Sequence, residues 1–308
     1  MNPRPPRRGP LCLFASLIAA GGLEGHGIDS SARRLFDSPA GGWQTEPWLA
    51  LSLIVPLILY AIGTLRLWKR MRLSRGVNPT RLPCFLSGWL ILVLALMSPL
   101  HPLGNELFYA HMIQHELLMI VAAPLLVLGR PLVPMMWGMP HALRQGLARC
   151  FRSRVWDTIT TWLVQPLVAW MAHALILWLW HLPSWFEAAL HNDFVHALQH
   201  VAFLGSALIF WQSIVHSRRG ALSYGAAVLF LFTTALHSGL LGALLALAGS
   251  PWYRSYLATS PAWGLSPLED QQLGGLIMWI PAGLVYLVAA LAFFAAWLQM
   301  SERRNREN

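Results

Sequence analysis

Seven apolar segments, each about as long as the hydrocarbon core of a bilayer is thick when helical, decide what this chain can fold into. They lie near residues 48–68, 82–100, 105–128, 160–180, 194–216, 222–248 and 273–298. Charged residues make up only 11% of the 308 residues, against about a quarter in soluble domains. A helix pairs its own backbone polar groups, as a lipid-exposed segment must. We therefore predict an all-α, polytopic integral membrane protein with seven transmembrane helices.

The first 22 residues have the composition of a secretory signal peptide. Three arginines precede an apolar stretch of only ten residues, 11–20, and two glycines follow it. A stretch this short crosses a bilayer poorly, so we predict a cleaved signal peptide, with a retained anchor as the alternative. The predicted organisation is a signal peptide at 1–22, an extracytoplasmic segment at 23–47, a seven-helix transmembrane domain at 48–300 and a cytoplasmic tail at 301–308.

The lysines and arginines of the loops predict how the spans are oriented. Sixteen of them follow the first, third, fifth and seventh segments, whereas the opposite loops between spans contain only Arg254. By the positive-inside rule we expect a multi-pass membrane protein with its N-terminus outside and its C-terminus in the cytoplasm. The net charge of +9 is then a topology signal and requires no nucleic acid partner. Residues 139–155 separate apolar from basic faces, which predicts a helix at the membrane interface.

Two H-x-x-Q-H motifs lie just inside the predicted outer ends of the third and fifth segments, at His111 to His115 and His196 to His200. Residues four apart share a helix face, so each motif directs two imidazoles the same way. Ionisable side chains within a bilayer are costly and tend to mark functional sites. Because both pairs enter from the same side at similar depth, we predict that they share one metal. Three more histidines of the outer half are candidate ligands: His173, His181 and His237.

Polar residues beside the motifs are predicted to support the histidines. Gln114 and Gln199 can orient imidazoles by hydrogen bonding, and Glu116 can act as a proton carrier or as the hydrogen-bond partner of an imidazole. The alternative for each of these side chains, and for any single histidine, is a structural hydrogen bond between helices.

The motifs belong to an internal repeat. His101-Pro-Leu precedes the first motif, and His181-Leu-Pro precedes the second. A weaker trace of the pattern, Leu268-Glu-Asp-Gln271-Gln272, precedes the seventh segment. Internal repeats of this kind occur in membrane transporters. We therefore predict three parallel helical hairpins after the first helix.

The residue types of the outer half favour copper as the metal. Neutral imidazole binds copper, zinc and iron, whereas thioether favours Cu(I), and Met97, Met112 and Met119 lie in the neighbouring segments. The three cysteines lie in the signal peptide or toward the predicted cytoplasmic side, which excludes a thiol-based shuttle. Stacked histidine pairs suit a compact ion better than haem. Copper is the predicted cofactor, with zinc and haem as the alternatives.

The combined motifs resemble the Caa3/CtaG family of cytochrome c oxidase assembly factors over roughly residues 45–300. The resemblance lies in His111-Met-Ile-Gln-His115 running into Ala123-Pro-Leu-Leu-Val-Leu-Gly129-Arg-Pro, in Trp180-His-Leu-Pro183, in the second H-x-x-Q-H motif and in Asp270-Gln-Gln-Leu-Gly-Gly-Leu-Ile-Met-Trp279. It implies a seven-helix protein that helps to mature a haem-copper oxidase through copper insertion.

From the residues and the resemblance together we predict a metal-binding assembly factor rather than an enzyme. We expect it in a bacterial inner membrane, and its expected partners are the subunits of a haem-copper terminal oxidase and the surrounding lipid bilayer. The alternatives are an intramembrane zinc hydrolase, with histidine ligands and Glu116 as its base, and a membrane protein that binds b-type haem.

Overall fold

The computed structural model describes residues 43, 46–70, 80–216 and 224–307, and within them it contains helices and no strand. The predicted signal peptide and most of the 23–47 segment lie outside the described residues. The helices are α1 (Pro47–Arg70), α2 (Arg81–Met97), α3 (Leu100–Glu106), α4 (Phe108–Glu116), a π-helix (Leu117–Ala122), α5 (Ala123–Gly129), α6 (Leu132–Gly138), α7 (His141–Phe151), α8 (Arg154–Leu163), α9 (Pro166–Trp180), α10 (Pro183–His191), α11 (Asp193–Val215), α12 (Tyr224–Ala246), α13 (Tyr256–Thr259), a 3₁₀-helix (Ser260–Trp263) and α14 (Pro267–Glu307).

The helices confirm the prediction of an all-α polytopic membrane protein. By length and composition, five described helices can each cross a membrane: Pro47–Arg70, Phe108–Gly129, Asp193–Val215, Tyr224–Ala246 and Pro267–Arg303. Two bent pairs, α2 with α3 and α8 with α9, bring the number to seven if each pair is one span. Many of the leucines, valines and isoleucines of these helices remain exposed on the isolated chain, as lipid-facing side chains must.

Each of the two bends occurs at a residue that precedes a proline and has extended backbone. Ser98 precedes Pro99 and is extended, and α2 meets α3 there at 44°. Gln165 precedes Pro166 and is also extended, and α8 meets α9 at 68°. Proline disfavours helical backbone in the preceding residue. The predicted fourth segment at 160–180 is therefore not one straight helix, because its first four residues belong to α8.

Consecutive spans pack as the three predicted hairpins. α2 packs on α5, α9 on α11 and α12 on α14, while α4 and α14 join the first hairpin to the third. α12 and α14 approach so closely that a Cβ on Gly242 would lie 2.8 Å from the carbonyl oxygen of Gly275. Backbone contact of this kind replaces the hydrophobic drive that helices in lipid lack.

The π-helix directly follows the first H-x-x-Q-H motif. In a π-helix the carbonyl of residue i pairs with the N–H of residue i+5, and the N–H of Ala123 bonds the Leu118 carbonyl in this way. The next carbonyl, that of Met119, would pair with Pro124, which has no N–H. The indole Nε1–H of Trp211 donates to it instead, at 3.1 Å. This bond ties the third span to α11 a few turns below the second motif.

Candidate metal centre

Five imidazoles from three helices form one cluster, which we call the five-histidine cluster: His101, His111, His115, His196 and His200. His101 lies on α3, the first motif on α4 and the second on α11. Ring centroids within each motif are 4.2 Å (His111–His115) and 4.4 Å (His196–His200) apart. Across helices the distances are 5.2 Å for His111–His196 and 5.4 Å for His115–His200. The two motifs therefore face each other.

His101 completes the cluster from the short helix that follows α2. Its ring stacks on His196 at 5.1 Å and meets His200 edge-on at 5.7 Å. Ligand nitrogens of these three residues lie within 4.8 Å of one another. His101 is not among the ligands predicted from the motifs, although its place in the repeated His101-Pro-Leu pattern is a sequence signal that points to it.

The cluster contains buried nitrogens that are not hydrogen-bonded within the described part of the chain. Both ring nitrogens of His111 and of His115 are in this state, as are Nε2 of His196 and Nε2 of His200. The carbonyl of Gly104 lies near His111, but outside hydrogen-bonding geometry. Buried polar atoms nearly always have a partner. Several converging imidazole lone pairs fit a metal ion of the kind that binds nitrogen ligands.

Gln114 determines the hydrogen-bonding state of His101. Its amide Nε2 donates to the carbonyl of Ala95 and to Nδ1 of His101, each at 2.8 Å. The Ala95 carbonyl can only accept, so it fixes which end of the amide faces it. His101 Nδ1 then accepts, and its Nε2 carries the hydrogen. Gln114 thus contacts an imidazole as predicted, but one outside its own motif.

His181 borders the cluster. Its Nδ1 bonds the carbonyl of Leu177 at 2.7 Å, and its Nε2 is buried with no described partner. The ring lies close enough to His111 and His115 to interact with both electrostatically. An Nδ1–H bonded to a carbonyl leaves the Nε2 lone pair available, which is how many metal-binding histidines are held.

His173 and His237 are not brought into the five-histidine cluster. His173 bonds the hydroxyl of Ser206 at 3.0 Å and stacks on Phe210. His237 meets Trp170 edge-on at 5.8 Å. His173 and His237 are near enough to interact electrostatically, and they lie apart from the cluster among α9, α11 and α12. Their prediction as ligands of the same metal stays a prediction without support from this geometry.

Glu116, which follows the first motif, and Gln199, which belongs to the second, lie on helix faces beside the histidines. Glu116 lies close to the phenol of Tyr286 on α14, and Tyr286 stacks on Trp211 at 5.9 Å. Gln199 is fully buried, and neither atom of its amide has a hydrogen-bond partner in the described ranges. Neither side chain forms a described bond to a cluster histidine. The side chain of Met112 packs against Gly274 of α14.

Four aromatic side chains cover the cluster on the side of the connecting helices: Phe108, Phe186, Tyr253 and Tyr256. The Tyr256 hydroxyl donates to the Gly104 carbonyl at 2.8 Å, and that of Tyr253 donates to the His181 carbonyl at 2.9 Å. Burial, with nearby Asp270, holds the pKa of Tyr256 well above its ordinary value, so this phenol remains a donor. The cover is therefore fixed to the backbone on both sides of the site.

Asp270 sets the position of the first motif. Its carboxylate accepts hydrogen bonds from the backbone N–H groups of Phe108 at 2.8 Å and Tyr109 at 2.9 Å, and from the hydroxyl of Ser260 at 2.6 Å. A carboxylate at a helix N-terminus satisfies N–H groups that the helix itself leaves unpaired. The start of α14 thereby caps α4 one turn before His111.

The matching family model covers residues 58–300 and describes the cytochrome c oxidase caa3 assembly factors. The chain belongs to this family. Uncharacterized proteins of Mycobacterium bovis and Mycobacterium tuberculosis are each 25% identical over 271 residues, and one of Mycobacterium leprae is 24% identical over 268. Each match covers 85% of this chain but only 40% of the mycobacterial protein. No solved structure matches the chain.

Proposed function

We propose that this member of the caa3 assembly factor family binds copper in the five-histidine cluster and passes it to a haem-copper oxidase during assembly. One observation carries the proposal: imidazoles from three helices converge at ring distances of 4.2 to 5.7 Å, and several of their buried nitrogens have no described hydrogen-bond partner. Each helix contributes separately, so the cluster exists only in the folded bundle.

The composition of the cluster supports copper over the two alternatives. A zinc hydrolase needs a base beside the metal-bound water, and Glu116 forms no described hydrogen bond to a cluster histidine; the group it interacts with electrostatically is Tyr286 on α14. Haem needs a gap between its axial histidines, whereas the rings of His111 and His196 stack at 5.2 Å and 10°. Of the described cysteines, Cys150 is exposed on α7 and Cys84 lies near the start of α2. The five-histidine cluster itself therefore offers imidazole nitrogens and no thiol.

Different histidines of the cluster are proposed to bind the copper and to control its release. His111, His115, His196 and His200 offer lone pairs from two helices. The Trp211–Met119 bond joins these two spans, and the Asp270 cap fixes the start of α4 to α14. His101, held by Gln114 as a hydrogen donor at Nε2, lies at the more exposed edge of the cluster. A change of its hydrogen-bonding state adds or removes one ligand. That feature suits a protein that must give up its metal.

The direct test compares the two motifs. His115→Ala and His200→Ala, alone and together, should each lower the copper retained by the purified protein and the activity of the oxidase in the cell. Because ligands of one ion act as a unit, the double variant should be little worse than either single. Copper is measured by elemental analysis, and oxidase assembly by the haem spectrum of the membranes.

His191→Ala is the matched control, because His191 is a surface histidine with 71% of its side chain exposed and a single carboxylate neighbour, Glu187. It should retain wild-type copper and oxidase. Equal expression of every variant is checked in the membrane fraction first. If well-expressed His115→Ala and His200→Ala support a fully active oxidase, the cluster is structural. If zinc replaces copper in the elemental analysis, the cargo assignment is wrong.

A further inference from the structure

A groove between α6 and α7, in the part of the chain between the two histidine motifs, combines basic and apolar walls. Its volume is about 290 Å³. The side chains that line it are Val133, Met136, Trp137, His141, Arg144, Gln145, Ala148 and Arg152. No acidic residue is among them. The large apolar members lie on α6, whereas the basic members belong to α7 and the residue that follows it, so the two walls differ in chemistry.

No ion pair among the described residues neutralises the positive charge of this groove. Arg144 lies over the Trp137 ring at 4.5 Å, and Arg70 approaches the same ring at 5.3 Å. Arg152 uses its Nε to bond the Ala148 carbonyl, which leaves its other guanidinium N–H groups available. In the described ranges no arginine forms an ion pair; the one ion pair there joins His191 and Glu187.

The groove is held in shape from the first span. Arg66 donates through one guanidinium nitrogen to the carbonyls of Trp137, Gly138 and Met139, at 2.8 to 3.2 Å. α6 also packs directly on α1. The C-terminal end of α6 and its turn into α7 are therefore anchored, so the guanidinium groups stand over a fixed surface.

The apolar wall is open to whatever surrounds the bundle. Val133, which lines the groove, is 58% exposed. Leu132 on α6 and Leu143 on α7, which do not line it, are 59% and 61% exposed. α7 buries none of its residues. A soluble anion would bind to the guanidinium groups alone and would make no favourable contact with this apolar surface. A molecule with a phosphate and acyl chains satisfies both walls.

We propose that the groove between α6 and α7 binds one anionic phospholipid, with its headgroup phosphate at Arg144 and Arg152 and its acyl chains along Val133 and Met136. Guanidinium groups bind phosphate through paired hydrogen bonds, and basic pockets beside transmembrane helices are typical headgroup sites. Arg144 and Arg152 are among the sixteen basic residues that predict the topology, and that pattern by itself does not imply a lipid-binding site. What distinguishes Arg144 and Arg152 is that both line one groove with an apolar wall and an indole, and that Arg144 lies over that indole, Trp137.

Native mass spectrometry of the full chain in dodecyl maltoside can test the site. The protein is titrated with dioctanoyl phosphatidylglycerol, with dioctanoyl phosphatidylcholine and with sodium phosphate. We expect one phosphatidylglycerol to bind more tightly than phosphatidylcholine. Arg144→Gln/Arg152→Gln should weaken that binding by about tenfold or more, as expected for the loss of charge-assisted hydrogen bonds.

Arg149→Gln/Arg154→Gln is the matched control, because it removes the same charge from two exposed arginines that do not line the groove. It should change binding less than about twofold, since it leaves the paired hydrogen bonds intact. Arg152→Gln alone, at an exposed position, serves if the first double variant does not fold. Equal binding of the two lipids, equal loss in both double variants, or unchanged binding in Arg144→Gln/Arg152→Gln would each overturn the proposal. Binding of phosphate as tight as that of phosphatidylglycerol would assign the groove to a soluble anion instead.

Discussion

At the scale of single residues, Gln114 has the largest effect on the chemistry of the site. Its Nε2 donates to both Ala95 and His101 Nδ1. In Gln114→Glu a buried, protonated carboxyl can donate to the Ala95 carbonyl and accept from His101 Nδ1–H, which frees His101 Nε2 as a ligand. We predict that copper affinity, measured by competition with a chelator, rises about tenfold, since partners of ligands have effects of this order.

Gln114→Leu is the companion variant, because it keeps the volume and removes both hydrogen bonds. It should not raise copper affinity, and leaving the buried Ala95 carbonyl unpaired should destabilise the protein by about 1–3 kcal/mol. If Gln114→Glu and Gln114→Leu have the same affinity for copper, His101 is not controlled in this way.

At the scale of elements, the π-helix and α11 are joined because Pro124 cannot pair with the Met119 carbonyl. Trp211→Phe keeps an aromatic ring beside Tyr286 but removes the indole N–H. We predict a loss of about 1–3 kcal/mol in unfolding free energy. In a Pro124→Ala background the N–H of residue 124 can serve Met119, so the same change should cost less. Denaturant unfolding in detergent measures this double-mutant cycle.

Trp162→Phe provides the reference for loss of an indole, since Trp162 is 56% exposed on α8. It should leave the unfolding free energy within about 0.5 kcal/mol of wild type, as surface changes usually do. A cost for Trp211→Phe that is unaltered by Pro124→Ala would mean that ring packing, and not the bond to Met119, joins the two elements.

At the scale of the whole molecule, the basic groove and the five-histidine cluster are predicted on opposite sides of the membrane. Cys150 is exposed on α7 and reports on the first side; Asn192→Cys, between α10 and α11, reports on the second. In single-cysteine variants of the full chain, a membrane-impermeant thiol reagent should label the thiol introduced at position 192 in intact spheroplasts, but Cys150 only after lysis. The reverse result would place the cluster at the cytoplasmic face and remove the argument for delivery to an oxidase from outside.

The fold class, and the fact that the two histidines of each motif share a helix face, could be predicted from the sequence alone. Segment length and apolar composition require helices in lipid, and a spacing of four residues places His111 with His115 and His196 with His200 whatever surrounds them. Both are local properties of a helix, so they do not depend on which helices are neighbours. The hairpin organisation also followed, because the repeat marks equivalent positions along the chain.

Which side chains share the site was decided by the packing of the helices. His101 joins because the bend at Ser98 turns α3 over the cluster, whereas His173 packs on Phe210 and His237 on Trp170. Glu116 follows His115 directly, yet one residue is a rotation of about 100° on a helix, which directs it to Tyr286 on α14. The rotation of each helix about its axis, its depth in the bundle and the helices beside it are set by contacts between residues far apart in the chain. No local sequence pattern contains that information.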